Sequence, residues 1–327
     1  MTATDQPKDR RILSIDVARG VALIAMAIYH GAWDLEMFGY LDPGTVAHGG
    51  WKMFARCIAS TFLFLVGVSL FLAHGRYIRW RGFAIRLAMV AAAAAVITVA
   101  TWFATPEAFI FFGILHQIAL ASVLGLAFLR LPALVSLVVA VLVILAPLYL
   151  RAPVFDHPAL WWVGLSTTNP RSNDYVPLFP WFAPVLIGIA AARLATDYGL
   201  KERLAAIRPG RWTTPLLFAG RHSLAFYLIH QPVLIGLVWL AAQIVPPPQA
   251  DPEVGFHREC RASCIEQRDA TFCTAYCGCM LESLRDDGSL DRIFAGESGT
   301  ELQLQVEQHA LACTGRTDYG LPQGGTQ

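Results

Sequence analysis

A chain of 327 residues that is 55% hydrophobic and only 15% charged, with a mean hydropathy of +0.49, departs from soluble domains, in which roughly a quarter of residues are charged. The composition excludes an ordinary soluble enzyme and predicts an integral membrane protein. A net charge of +1 offers no broad basic surface, so no nucleic-acid partner is expected.

A hydrocarbon core of about 30 Å takes roughly 20 helical residues. Apolar runs of that order are predicted near 12–32, 53–73, 84–104, 109–129, 131–150, 177–196 and 222–245. The expected fold class is all-α, a polytopic transmembrane helical bundle of about seven spans over residues 11–245, with a small Cys-rich C-terminal extension. The run Pro215–Val245 is long for one helix, and its first part reads as a short re-entrant or interfacial piece.

Lys and Arg in short loops are retained on the cytoplasmic side. Lys8, Arg10 and Arg11 precede the first span, Arg76, Arg79, Arg81 and Arg86 follow the second, and Arg130 follows the fourth. Arg193, Lys201, Arg203, Arg208 and Arg211 lie between the sixth and seventh, whereas 33–50 carries Asp34, Glu36 and Asp42 and neither Lys nor Arg. The expected N-terminus is cytoplasmic and the tail external. The charged start resembles a signal peptide, but no small-x-small cleavage site follows Tyr29, so the segment is expected to stay as a helix.

Charged side chains at mid-bilayer cost about 2.5–3.5 kcal/mol on insertion scales and usually face a bundle interior or a water-filled cavity. Asp16 and Arg19, three residues apart, share a helix face and can neutralise each other. Arg19 is also suited to holding phosphate in bidentate fashion. His30 follows Arg19 by eleven residues, close to three turns, so one helix presents an anion-binding group near one end and a titratable base near the other. Asp34, at i+4 from His30, is placed to orient the imidazole.

His116, within the fourth span, implies a partner or a cavity for its ring. Asp174 is a candidate for the outer mouth of the bundle, with an ordinary loop turn as the plainer reading. Arg221 and His222 read as interface caps, while Tyr227 and His230 lie on one helical face and are substrate-pathway candidates. The basic loop from Arg76 to Arg86 could dock a nucleotide phosphate, although the positive-inside rule already explains it. Cys57, inside the second span, reads as a small buried hydrophobe.

After Pro246–Pro248 the composition turns polar, and 250–314 holds six of the seven cysteines. Cys260 and Cys264, and Cys273 and Cys277, are each four apart and share a face if helical. Two antiparallel helices stapled by Cys260–Cys277 and Cys264–Cys273, leaving Cys279 for Cys313, would satisfy this spacing, although six cysteines admit fifteen pairings. An even number on the expected external side suits disulfides. No C-x-x-C pair favours the rival metal site, and no metal is expected. Residues 315–327 read as a disordered tail.

"RRILSIDVARGVALIAMAIYHGAWDLEMFG", "FIFFGILHQIALA", "NDYVPLFPWFAPVLIGI" and "FAGRHSLAFYLIHQPVLIG" occur in that order along 11–245. Together they resemble the bacterial membrane proteins grouped with the catalytic domain of heparan-alpha-glucosaminide N-acetyltransferase. The Arg19 and His30 pair is also similar to the Arg-then-His pattern of the broader membrane acyltransferase-3 family, where it belongs to the acyl-transfer site. His48 in "HGGW", with Trp51, resembles the outer-loop H-x-x-W histidine of the lysosomal acetyltransferases. The resemblance implies a membrane-bound acyltransferase of a bacterial inner (plasma) membrane that takes acetyl-CoA on the cytoplasmic side and acetylates a saccharide or glycan at the outer face.

On this reading the catalytic candidates are His30, Asp34 and His48, and Arg19 and Asp16 belong to the donor side. The bilayer and a glycan acceptor are the expected partners, and self-association into a homo-oligomer is compatible with the sequence. The alternative reading is a transporter or flippase for a polar or lipid-linked solute, against which no convincing internal duplication is visible. A haem or quinone protein is a weaker alternative, since His30, His116 and His230 form no obvious axial pair.

Overall fold

The structure is a computed structural model that describes residues 12–248, 252–265, 267–297 and 299–319. Its α-helices are α1 (Leu13–Met37), α2 (Gly49–His74), α3 (Trp80–Ala104), α4 (Ile114–Gly125), α5 (Ala133–Tyr149), α6 (Leu178–Asp197), α7 (Leu200–Ala206), α8 (Thr214–Arg221), α9 (Ser223–Ile244), α10 (Pro252–Ile265), α11 (Ala270–Asp286), α12 (Ser289–Phe294) and α13 (Thr300–Tyr319). Five of them, α1, α2, α3, α6 and α9, are long and apolar enough to cross a membrane, and α4 and α5 are apolar but shorter. Every expected span thus contains a helix, and the protein is an all-α, multi-pass membrane protein.

The fourth span differs from its expected start at 109. Residues 109–113 are taken out of the helix by pairing with the segment before α6, where Asn173 N donates to Ala108 O (2.9 Å) and Val176 N to Phe112 O (3.0 Å). The long run Pro215–Val245 breaks at His222 into the short α8 and the full-length α9, as its length suggested.

The described residues fall into two compact units. The first comprises the chain up to Gly31 and Gly49–Gly236, the second Ala32–His48 with the chain from Leu237 onward. In the first unit α6 is the central helix, packed on α2 and α5. Its Ala183, Val185, Leu186 and Ile189 are fully buried. Lipid offers no hydrophobic drive for helix association, so close packing has to hold such a bundle together, and small residues permit it. A Cβ on Gly67 of α2 would lie 2.0 Å from Val185 O, and one on Gly188 of α6 would lie 2.2 Å from Phe64 O. The α1–α8 crossing repeats the device, with Gly20 against Leu216 O and Gly220 against Asp16 O.

The outward faces remain apolar. Val96, Val99 and Phe103 on α3, Leu134, Val141 and Leu148 on α5, and Ile229 and Val233 on α9 are all exposed, far more apolar surface than a soluble protein tolerates and what lipid contact requires. Cys57 belongs to this set. It is exposed on α2, contrary to the expected burial, because a helix apolar all round does not announce which face turns inward.

In the second unit α10 and α11 are joined by Cys260–Cys277 and Cys264–Cys273, and α11 is joined to α13 by Cys279–Cys313. The first two pairs ascend one helix while descending the other, which makes α10 and α11 an antiparallel hairpin. Asp269 caps α11 by accepting from Thr271 N and Phe272 N, both at 3.0 Å. Met280, Leu284, Leu290 and Cys313 form a small core, and His309 Nε2 lies 2.6 Å from Asp287 Oδ2. Such a small core gains from staples, each typically contributing about 2–4 kcal/mol.

The same unit includes the loop after α1. Both carboxylate oxygens of Glu36 brace it, accepting from Gly44 N and Val46 N at 2.8 Å. Arg258 pairs with Asp42 at 2.6 Å, and the Tyr40 hydroxyl donates to Val245 O. The helix α13 continues to Tyr319, so 315–319 are helical rather than disordered. The remainder of the expected tail, 320–327, lies outside the described residues, as do Lys8, Arg10 and Arg11.

Protein isolated without reductant and treated with iodoacetamide after denaturation is expected to be alkylated at Cys57 alone. Peptide mass spectrometry checks this, and label on any of the six tail cysteines would contradict the three bridges.

Candidate functional site

The functional side chains of α1 lie towards its two ends. Near the start, Asp16 is only 2% exposed. Arg19 Nη1 donates to its Oδ1 at 3.1 Å, and Arg221 Nε stands 4.0 Å from its Oδ2. Arg19 also donates through Nη2 to Ser69 Oγ, a partner that the sequence reading missed because Ser69 lies fifty residues away on α2. The carboxylate sits in the first turn of α1, where the helix dipole favours it. The bland expectation of a neutralising Asp16–Arg19 pair is thus realised, with Arg221 brought in beside it.

Beyond Ser69, a pocket between α2, α3 and α4 is lined by His74, Arg86 and Ser122 and has a volume of about 20 Å³, room for about one water. A second cleft of about 120 Å³ is lined by Phe71, Arg76, Tyr77, Arg79, Thr196 and Lys201. Its arginines and lysine, with two aromatic rings, suit an anion carrying a planar group. Arg79 is held in place there by donating twice to Ala73 O, at 3.2 and 3.0 Å.

Towards the other end of α1, the His30 ring lies 5.0 Å, centroid to centroid, from His230 of α9. Tyr29 is 6.4 Å from Trp51, the tryptophan of "HGGW". His230 lies 5.6 Å from the Tyr227 ring, and its Nδ1 donates to Tyr227 O at 2.6 Å. Tyr227 packs against three separate apolar clusters, beside Leu23 and Met26 of α1, Ile114 and Leu115 of α4, and Val176 and Phe182. Asp174 accepts from Ile114 N at 2.8 Å, which caps α4. The four sequence motifs, scattered over more than two hundred residues, are therefore brought together at Tyr227 of the fourth: Leu23 and Met26 come from the first, Ile114 and Leu115 from the second, Val176 and Phe182 from the third.

Other candidates are placed differently. Both His116 nitrogens are engaged, Nδ1 accepting from Gly113 N at 3.2 Å and Nε2 lying 3.2 Å from Thr98 Oγ1. Thr98 gives its own proton to Ile110 O at 2.7 Å, so His116 Nε2 carries a hydrogen and the ring serves as a neutral brace for the start of α4. His48 is exposed, with Nδ1 2.9 Å from Gly44 O of its own turn. Asp34 is completely buried, one turn beyond His30 on α1. Among the described residues no cluster of His, Cys, Asp and Glu is arranged to hold a metal ion.

Asp174 lies outside the membrane-spanning helices, and burial pushes its carboxyl up to about 6 against an ordinary 3.8, partly opposed by the Ile114 N–H. A carboxyl with a raised folded value is favoured by the fold when protonated, so its contribution is present below about pH 3.8 and is lost as pH rises towards 6. Asp174→Asn keeps an acceptor for Ile114 N without the charge. Its melting temperature is expected to vary less than that of wild type between pH 4 and 7, and equal slopes would contradict the burial argument.

The profile of the family described as heparan-alpha-glucosaminide N-acetyltransferase, catalytic, matches residues 11–232. No curated protein and no solved structure matches the chain. The family match takes in the second and third motifs and all but the outermost residues of the first and fourth, and it stops before the six tail cysteines.

Proposed function

The chain belongs to the family of the heparan-alpha-glucosaminide N-acetyltransferase catalytic domain, and from that premise, which makes it a membrane acetyltransferase, we propose that it transfers acetyl from acetyl-CoA to a saccharide hydroxyl or amine. The donor is taken at the cytoplasmic face of a bacterial inner membrane and the acceptor at the outer face. The convergence of the four motifs on Tyr227, whose neighbour His230 lies beside His30, is the observation that carries this reading.

His30 takes the proton of the acceptor as its oxygen or nitrogen attacks the thioester carbonyl, a role that typically contributes 10²–10⁴-fold. The carbonyl carbon bonds to the acceptor, the carbon–sulfur bond breaks, and the CoA thiolate recovers the proton. The cleft of Arg76, Arg79, Lys201 and Tyr77 suits the nucleotide phosphates, and Arg19, already oriented by Asp16 and Ser69, suits the donor arm. Asp34 and His48 belong to the acceptor side.

The test is transfer from radiolabelled acetyl-CoA to a panel of mono- and oligosaccharides by purified protein in lipid nanodiscs, with free CoA release measured in parallel. Labelled saccharide with stoichiometric CoA supports the reading. Movement of solute into proteoliposomes without acetyl-CoA consumption would replace it with transport.

A further inference from the structure

The His230 ring is held in one tautomer. Its Nδ1 lies 2.6 Å from Tyr227 O, and a carbonyl oxygen can only accept, so the hydrogen is on Nδ1. In the neutral ring Nε2 is then a bare lone pair. That Nε2 is buried and has no hydrogen-bond partner among the described residues, an arrangement that folded proteins normally avoid and that calls for an explanation. Its neighbour is the His30 ring at 5.0 Å, inclined by 63°. Two imidazoles joined by an N–H···N bond of about 2.9 Å have centroids about 5 Å apart, so a small ring rotation completes the bond.

We propose that His230 is the proton-acceptor partner of His30: its Nε2 receives an N–H from His30 and holds the imidazolium that forms when His30 deprotonates the acceptor. The inference rests on His30 being the base of the acetyl transfer proposed above. The acceptor's O–H or N–H proton goes to one nitrogen of His30, the new C–O or C–N bond forms as the C–S bond breaks, and the hydrogen on the other nitrogen of His30 is shared with His230 Nε2. The CoA thiolate then takes one proton from the imidazolium, which returns both rings to neutrality. A bare lone pair on the ring next to His30 is thus present before the reaction, close to where positive charge develops, which spares reorganisation as in other enzyme sites. His230 is a positioning residue, because it acts through His30.

The test compares wild type with His230→Phe, which removes the acceptor, and His230→Gln, whose amide oxygen reaches the Nε2 position. In nanodiscs, His230→Phe is expected to lower kcat by about 10²-fold with the KM for acetyl-CoA within about twofold, and His230→Gln to recover at least a tenth of wild-type kcat. A second readout needs no acyl donor: the rate at which diethylpyrocarbonate labels His30, by peptide mass spectrometry, referenced to the exposed His48 and His222. Loss of the acceptor is expected to slow labelling of His30 about fivefold or more relative to these two.

An unchanged relative rate overturns the proposal whatever happens to turnover, as does a loss of activity that His230→Gln does not relieve. A slowed rate in a protein that transfers no acetyl group leaves the histidine pair standing and removes the acetyl-transfer reading instead. Should His230→Phe not assemble, His230→Asn, whose shorter amide cannot reach Nε2, supplies the same comparison.

Discussion

His30→Ala is expected to lower kcat for acetyl transfer by about 10²–10⁴-fold, with the KM for acetyl-CoA little changed, because the ring lost is the base and not part of the donor site. The competing histidine is His48, which the sequence offers second to His30, through the resemblance of "HGGW" to the outer-loop histidine of the lysosomal acetyltransferases. The structure separates the two by environment. His30 is flanked by Tyr29 and His230, whereas His48 is exposed with Nδ1 turned to Gly44 O. His48→Ala is accordingly expected to reduce kcat by less than about tenfold. Steady-state kinetics of the two variants in nanodiscs decide the matter. If His48→Ala is the inactive one, the chemistry belongs to the outer loop, and the polar residues of α1 are support. A shift in KM alone for His30→Ala would remove it from the proton transfer and make it a binding group.

The sequence makes legible whatever is local. Apolar runs report the spans, since the hydrocarbon thickness fixes their length, and the i, i+4 spacing of Cys260 and Cys264 against Cys273 and Cys277 carries the hairpin that the disulfides close. The Asp16–Arg19 pair is likewise within one turn. What brings His30 to His230, or Tyr227 against Leu23 and Leu115, is helix packing between segments far apart in the chain, and hydropathy has no register for that. His116 shows what residue type alone leaves open: its ring needs a partner or a cavity, and the structure supplies partners, Gly113 N at the start of α4 for Nδ1 and Thr98 of α3 for Nε2. The start of α4 was misplaced for a related reason, because the backbone of 108–112 finds hydrogen-bond partners in 173–176 and has no need of the helix. Cys57 faces outward, which hydropathy does not reveal, since apolar residues lie on both the packed and the outward faces of α2.

The largest expected effect on stability comes from Gly67→Val. The first β-carbon added there would stand 2.0 Å from Val185 O, and the reciprocal position, Gly188, would place its own 2.2 Å from Phe64 O. Both obstacles are helix backbone, so neither can move as a side-chain tip would. The two helices must separate, and with them the fully buried Val185, Leu186 and Ile189 of α6. Overpacking ordinarily costs about 1–3 kcal/mol and occasionally more, a large share of the roughly 5–15 kcal/mol that holds a domain together.

Gly67→Val is therefore expected either to fail to accumulate as a monodisperse species or to melt about 10 °C or more below wild type, by fluorescence-detected size exclusion after heating. Gly236→Ala in α9 is the control, since a Cβ there meets nothing within 4 Å. Its melting temperature should match or slightly exceed that of wild type, because alanine is the better helix former. Should Gly67→Val melt with Gly236→Ala, the α2–α6 crossing is not as close as the geometry requires, and α6 loses its standing as the central helix of the first unit.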